Sequence, residues 1–329
     1  MAIAEKALIA QVRRLAKARA NTAVLTGIGD DCAVLRLDPR SGQTDALVTT
    51  DFSLEGTHFR RDWHSPESVG HRCLARGLSD IAAMGGEPVA AFLSLALPRD
   101  LPQSWIDRFA RGLLVLARRY GVTLAGGDTA ESPNGILADI AVLGTAPKGK
   151  AILRSSAKPG DRIYVTGELG GSAAAVRVMQ ETFRKKSKRL LNPQHYRRHF
   201  FPEPRIELGR TLRSKALVSA MIDTSDGLST DLAHICAESG VGAELQADSI
   251  PLASVGKPRQ EVDLDLALHG GEDYELLFTA PRSKHIPSSI AEVPITQIGQ
   301  ITRGGKMFIT SRSGASRELK PRGWEHFRN

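Results

Sequence analysis

Apolar residues recur at helical spacing near the start of the chain (Ile3, Leu8, Val12 and Leu15) and then shift to short continuous or alternating runs at 33–37 and 46–50. The first pattern predicts an amphipathic helix over 2–17, and the runs predict β-strands. Further strands are predicted at 89–97 and 137–145, and helices at 66–84 and 104–120. Ser65 reads as an N-cap with Pro66 at the first helical position, and Gly121 ends the second helix. Residues 146–161 (APKGKAILRSSAKPGD) carry Pro, Gly and Lys with little periodicity, which places a domain boundary there and divides the chain into 1–149 and 150–329.

The second half repeats the theme. A strand at 163–166 meets the turn GELGGS (167–172), which opens an Ala-rich helix; 220–222 runs into DTSDG; a helix covers 228–238; and strands fall near 243–246, 274–279 and 297–302. Strands alternating with helices predict an α/β (α+β) architecture in two lobes. No repeat of fixed period is visible, so solenoids and propellers are not expected.

With 329 residues and 41% of them hydrophobic, the chain can bury a core in each lobe. The three cysteines, Cys32, Cys73 and Cys236, show no CxxC or Cys/His ligand spacing, so neither a disulfide framework nor a structural zinc site is indicated and a reducing cytoplasm is expected. No apolar segment reaches the ~20 residues of a membrane span, and Glu5 interrupts any signal-like apolar stretch. The net charge of +8 owes much to a basic run over 183–200 (FRKKSKRLLNPQHYRRHF). Without an accompanying nucleic-acid motif that run reads as a solvated surface segment, and no nucleic-acid partner is expected.

Acidic residues stand after glycine or at the ends of apolar runs: Gly29-Asp30-Asp31, Thr49-Thr50-Asp51, Ser79-Asp80, Gly126-Gly127-Asp128, Asp223-Thr224-Ser225-Asp226-Gly227 and Gly270-Gly271-Glu272-Asp273. Singly, each fits a turn or cap. Together, as strand-end carboxylates converging on one cleft, they would repel one another unless a divalent cation neutralised them. Oxygen donors without Cys or His at ligand spacing favour Mg²⁺, and Mg²⁺ implies phosphate. On a continuous helix over 66–84, Asp80 would share a face with Cys73, Gly77 and Met84; alternatively Ser79 caps a new short helix. GELGGS could cradle a phosphate or be a plain strand-to-helix connection, since it is neither a P-loop nor a GxGxxG site.

The motifs GIGDDCAVL (27–35), VTTDFSLEGTHF (48–59), LSDIAAMGGEP (78–88), AGGDT (125–129), LRSSAKPGD (153–161), VTGELGGSAA (165–174), IDTSDGLSTDL (222–232) and HGGEDYELLF (269–278) run in order over nearly the whole chain. In this they resemble the thiamine-monophosphate kinase family. The resemblance implies the two-domain fold of aminoimidazole ribonucleotide synthetase (PurM-like), with N-terminal sheets pairing across a homodimer. It also implies transfer of the γ-phosphoryl of ATP to thiamine phosphate, giving ADP and thiamine diphosphate, with several Mg²⁺ ions.

Position by position, the resemblance makes Asp30, Thr49, Thr50, Asp51, Asp80, Asp128, Asp223 and Asp226 metal-site residues. Gly127, Asp128, Arg154 and Ser225 become ATP contacts, and His58, Glu272 and Trp324 thiamine-phosphate contacts. Trp324 could instead be an apolar plug. The acceptor would be a phosphate monoester with a second pKa near ~6, so its attacking oxygen is already anionic and no general base is required. Arg76 and Gly77 depart from the family's pattern, and neither is expected to touch a proposed ligand. Aminoimidazole ribonucleotide synthetase and selenophosphate synthetase are the rival readings within the fold. The hydrogenase-maturation type is disfavoured because the sequence closes on Glu325-His326-Phe327-Arg328-Asn329 rather than a cysteine.

Overall fold

The computed structural model describes residues 5–16, 23–37, 42–185 and 191–327. Helix α1 (Glu5–Ala16) lies within the predicted span 2–17, the remainder of which falls outside the described residues. Strands β1 (Val24–Thr26), β2 (Ala33–Leu35), β3 (Thr44–Leu54), β4 (Glu87–Leu97), β5 (Thr123–Glu131) and β6 (Leu137–Pro147) form one sheet in the order β1-β2-β3-β6-β4-β5. Helices α2 (Pro66–Ala83) and α3 (Gln103–Arg119) cover one of its faces. Ser65 caps α2 as predicted, its side chain accepting from the Ser68 amide. The helix runs unbroken through Ser79 and Asp80, so no second cap exists there.

α2 and α3 cross closely because two glycines face each other's backbone. A Cβ on Gly70 would stand 2.0 Å from the Phe109 carbonyl oxygen, and one on Gly112 would stand 2.0 Å from that of Glu67. Neither clash is relieved by a rotamer change, since the obstacle is main chain.

The second lobe holds β7 (Arg162–Thr166), α4 (Gly171–Arg184), α5 (Arg197–Phe200), α6 (Ile206–Ser214), β8 (Ala220–Asp223), α7 (Leu228–Ser239) and β9 (Gly242–Gln246). After it come the small strands β10 (Ser254–Val255) and β11 (Gln260–Glu261), then α8 (Leu264–His269), β12 (Leu276–Ala280), β13 (Ser289–Ile290), β14 (Val293–Thr302), β15 (Met307–Thr310) and β16 (Ser316–Glu318). Its main sheet runs β16-β15-β9-β14-β7-β12-β8, with β13 on β14. The architecture is therefore mixed α/β, as the alternation implied. One core continues from beneath the first sheet (Leu74, Leu78, Ile81, Ile140) to Leu212, Met221 and Phe278 of the second lobe, and α2 is buried along most of its length between the two.

Two expectations change, and one open alternative closes. Asp51 lies inside the eleven-residue β3 rather than at a strand end. AGGDT is no turn but the middle of β5, a strand the glycine-rich sequence concealed. In GELGGS, the amides of Gly170 and Ser172 donate to the Asp273 carboxylate at 2.6 and 3.1 Å, so the α4 N-terminus is satisfied from within and the segment is a plain connection. Burial pushes the Asp273 carboxyl up to about 7, against those two bonds.

Residues 186–190 of the basic run lie outside the described residues. Of the rest, Arg198 pairs with Glu168 and Glu275, and Arg197 with Glu203. No described helix is long and apolar enough to cross a membrane.

Candidate active site

A cavity of about 720 Å³ opens between the lobes, with acidic groups at one end and a cation-rich, aromatic-bearing wall at the other. α2 contributes to both ends. At the acidic end, carboxylate oxygens of Asp31, Asp80 and Asp223 lie within 4.8 Å of one another. Asp31 follows β1, Asp80 stands near the C-terminal end of α2, and Asp223 ends β8, so three distant segments converge. Thr49 donates to Asp80, and Ser79 Oγ donates to Asp223 Oδ2 at 2.5 Å. Burial, reinforced by the other carboxylates, holds Asp80 well above the ordinary carboxylate range and Asp223 at about 8. Burial likewise lifts Asp51, and together with the Asp31 charge it brings Asp30 to about 7. Such values mark negative charge without enough compensation.

Of the described Asp, Glu, His and Cys residues, only those three aspartates gather at metal-ligand distance. All the donors are hard oxygens. Cys32 and Cys73 are buried nearby, and burial raises both thiols, which stay neutral. The set suits a hard divalent cation such as Mg²⁺.

At the other end, the Leu54 amide donates to His58 Nδ1 at 3.0 Å, which leaves the ring hydrogen on Nε2. Burial drives the His58 imidazole down to about 3, so it is neutral. Glu272 pairs with Arg72 at 2.8 Å and with Arg76 at 3.4 Å. Burial would raise its carboxyl, but the two arginines outweigh that and hold it low. Glu272 and Tyr274 both adopt left-handed backbone (φ 65° and 52°), a strained turn kept by the Glu272 and Tyr274 amides donating to the Ser225 and Thr224 carbonyls. Trp324 is 52% exposed at the mouth, its amide on the Asp226 carbonyl and its ring edge-on to His326. Burial and the Glu5 charge lift Asp226 to about 6.

Asp51, Asp80, Asp223, Asp226, Ser225, His58, Glu272 and Trp324 thus line one cavity. Asp30 and Thr49 stand just behind it: Thr49 through Asp80, and Asp30 through the Arg154 amide, which donates to it at 3.1 Å. The Arg154 guanidinium is engaged by Asp31 at 2.5 Å.

Thr50 and Asp128 do not join this group. Side chains alternate along β3, so Thr50 points away from Thr49 and Asp51 and is exposed, on the face that carries Phe52. Asp128 pairs across the sheet with Ser94, which pairs with Asp139 and through it with Phe52, placing Asp128 on that same open face. Gly127 neighbours Leu93 on β4, and a Cβ there would meet the Leu93 carbonyl oxygen at 1.8 Å.

Sequence reasoning missed Asp31 and misjudged Arg76. Asp31 adjoins Asp30 in GIGDDC, and spacing alone could not say which of two neighbouring carboxylates turns inward. Arg76 was expected to touch no proposed ligand, yet its guanidinium is 3.6 Å from Asp51 and 3.4 Å from Glu272. Its position four residues after Arg72 and four before Asp80 on one helix was the available signal.

Two family models match: AIR synthase related protein, N-terminal domain, over residues 29–146, and AIR synthase related protein, C-terminal domain, over 158–312. The thiamine-monophosphate kinase of Salmonella typhimurium is 39% identical over 314 residues, which are 92% of this chain and 92% of that protein. The chain belongs to the thiamine-monophosphate kinase family. A family member from Bacillus subtilis is 34% identical over 313 residues, covering 94% of this chain and 95% of its own. Among solved structures, AaThiL complexed with AMPPCP and TMP superposes with TM-score 0.82 at 29% identity, over 98% of this chain and 97% of that one. The thiamine-monophosphate kinase of Stenotrophomonas maltophilia gives TM-score 0.72 at 35% identity, over 94% and 97%. The hydrogenase maturation protein HypE of E. coli, at 18% identity and TM-score 0.66, over 95% of this chain and 98% of its own, shares the fold.

Proposed function

We propose that this chain transfers the γ-phosphoryl group of ATP to thiamine phosphate, yielding ADP and thiamine diphosphate. The observation that carries the reading is a single cavity with under-compensated carboxylates at one end and a neutral imidazole, a paired glutamate and an exposed indole at the other. A flat, cationic heterocycle bearing a phosphate tail suits that polarity: its ring meets Trp324, His58 and Glu272, and its phosphate reaches toward the aspartates.

Asp31, Asp80 and Asp223 would hold Mg²⁺, with Asp30, Asp51 and Asp226 adjacent and Thr49 fixing Asp80. Bound there, Mg²⁺ supplies positive charge against the phosphate oxygens of donor and acceptor. The protein's own part is positional. Ser79 and Thr49 orient the carboxylates, His58 offers Nε2–H, and Glu272 counters the substrate's cationic ring. The acceptor oxygen is anionic at neutral pH, so no side chain is needed as a base, and transfer is direct. Ser225 and Arg154 are assigned to the nucleotide, Arg154 after exchange of its contact with Asp31.

Thr50, Gly127 and Asp128 belong to a second part of the proposal. They lie on or beside the open face of the first sheet, where Phe52 and Phe92 are 54% and 42% exposed. A homodimer closing that face would bury both rings and bring Asp128 and Gly127 to an interface. The division into units 1–149 and 150–329, and a cytoplasmic setting, complete the reading.

ADP release from ATP and Mg²⁺ is the test, with thiamine phosphate, thiamine and an aminoimidazole ribonucleotide precursor compared as co-substrates. Turnover confined to thiamine phosphate is expected, and its absence overturns the assignment.

A further inference from the structure

Arg76 stands where the two ends of the cavity meet, and its hydrogen-bonding capacity is largely unspent. Nε is buried and is the one buried side-chain polar atom among the described residues without a hydrogen-bond partner. The nearest Asp51 oxygen, at 3.6 Å, is too far for a hydrogen bond, and the contact from Nη1 to Glu272 is long at 3.4 Å. Glu272 does not need that contact, because Arg72 already pairs with it at 2.8 Å. Arg72 is itself committed: it also donates to the carbonyls of His199 and His58. Two arginines one helical turn apart thus have different work, Arg72 bracing Glu272 and Arg76 retaining unused donors in the cavity wall.

A guanidinium cannot shed its charge, and its fork matches the oxygens of a phosphate. Any ligand with a heterocycle against Trp324 and Glu272 and a phosphate directed at Asp80 and Asp223 must pass the side chain that lies between Glu272 and Asp51. We infer that Arg76 is a binding residue for the acceptor's phosphate and sets the preference for a phosphorylated acceptor over its unphosphorylated parent. The inference deepens the kinase reading and rests on it for the identity of the acceptor.

Calorimetric titration of the full chain with thiamine phosphate and with thiamine, in Mg²⁺ and without ATP, tests this in wild type, Arg76→Gln and Arg76→Lys. The wild type is expected to bind thiamine phosphate more tightly than thiamine by a factor on the order of 10 to 100, the size of a charge-assisted contact. Arg76→Gln should erase most of that ratio with thiamine affinity unchanged, and Arg76→Lys should keep part of it. Thermal melts confirm that each variant is folded, and the lysine variant answers the question if the glutamine variant is not.

Equal weakening of both ligands, in a folded variant, would make Arg76 a brace for Asp51 and Glu272 and overturn the inference. An unchanged ratio in Arg76→Gln, or a wild type that does not favour thiamine phosphate, would overturn it too. A wild type that binds thiamine phosphate preferentially yet releases no ADP would instead sink the kinase reading while leaving the Arg76 assignment standing.

Discussion

The two ends of the cavity solve the problem of buried charge in opposite ways. At the acidic end Asp31, Asp80 and Asp223 crowd together, and burial, reinforced by the neighbouring carboxylates, pushes the Asp80 and Asp223 carboxyls up. Beyond the other end, several buried polar groups are answered internally. Glu272 has Arg72, and His64 and His199 meet through Nε2 atoms 2.9 Å apart, a contact with room for one hydrogen. Ser172 Oγ lies 2.9 Å from His199 Nδ1, and burial drives His64 down to about 4 and His199 well below its ordinary value. On the proposed reading the acidic region awaits a cation, whereas these buried pairs are complete on folding. The contrast separates charge left for a ligand to neutralise from charge neutralised within the fold.

The sharpest way to break the comparison is Asp223→Asn. Its carboxyl, held near 8, is largely protonated at pH 7 in the metal-free protein, so an amide of the same shape should leave the melting temperature nearly unchanged. Turnover should fall by a factor on the order of 10³ or more, since a proposed Mg²⁺ ligand is removed. Retained activity in steady-state assays would show that the acidic end is not catalytic.

Stability against pH should split the two regions next. Between about 4 and about 8, Asp223 is protonated in the fold but ionised in the unfolded chain, so unfolding releases a proton and stability falls as pH rises. Asp30 acts the same way up to about 7. His64 is neutral in the fold but charged when unfolded between 6.5 and about 4, so stability there falls as pH falls. Each group contributes about 1.4 kcal/mol per pH unit within its window. Saturating Mg²⁺ should remove the carboxylate contribution across its whole window, by holding those groups ionised, so that the slope flattens above 6.5 and the opposite His64 slope is unmasked below it. Denaturant melts across pH, with and without the ion, read both.

The smallest effect belongs to Trp324→Ala. With the ring half-exposed and edge-on to His326, its loss should raise KM for thiamine phosphate about tenfold and leave KM for ATP within about twofold. An unchanged KM for thiamine phosphate would return Trp324 to the role of an apolar plug.

Much of this was legible in the sequence where local chemistry decides structure. The Ser65-Pro66 start of α2, the existence of strands at β3 and β6 and the DTSDG turn all follow from caps, periodicity and glycine. What stayed hidden depends on which way a side chain turns. Asp30 and Asp31 look alike in a chain read left to right, Thr50 separates from Thr49 only once β3 is a strand, and AGGDT resembles a turn until β4 pairs with it. Arg76 looked remote from the chemistry because its partners, Asp51 and Glu272, are distant in sequence.

Helix α2 carries Arg72, Arg76 and Asp80 along one stretch, so the brace for Glu272 and the Asp80 carboxylate of the acidic cluster are separated by eight residues of rigid rod. At 1.5 Å per residue that separation is about 12 Å. A helix pinned by main-chain contact to α3 and buried between two lobes does not stretch, so it serves as a ruler. On the proposed seating of the acceptor, its length would be measured against that fixed gauge. An acceptor whose tail between ring and phosphate is longer or shorter by one methylene would seat one end correctly and miss the other.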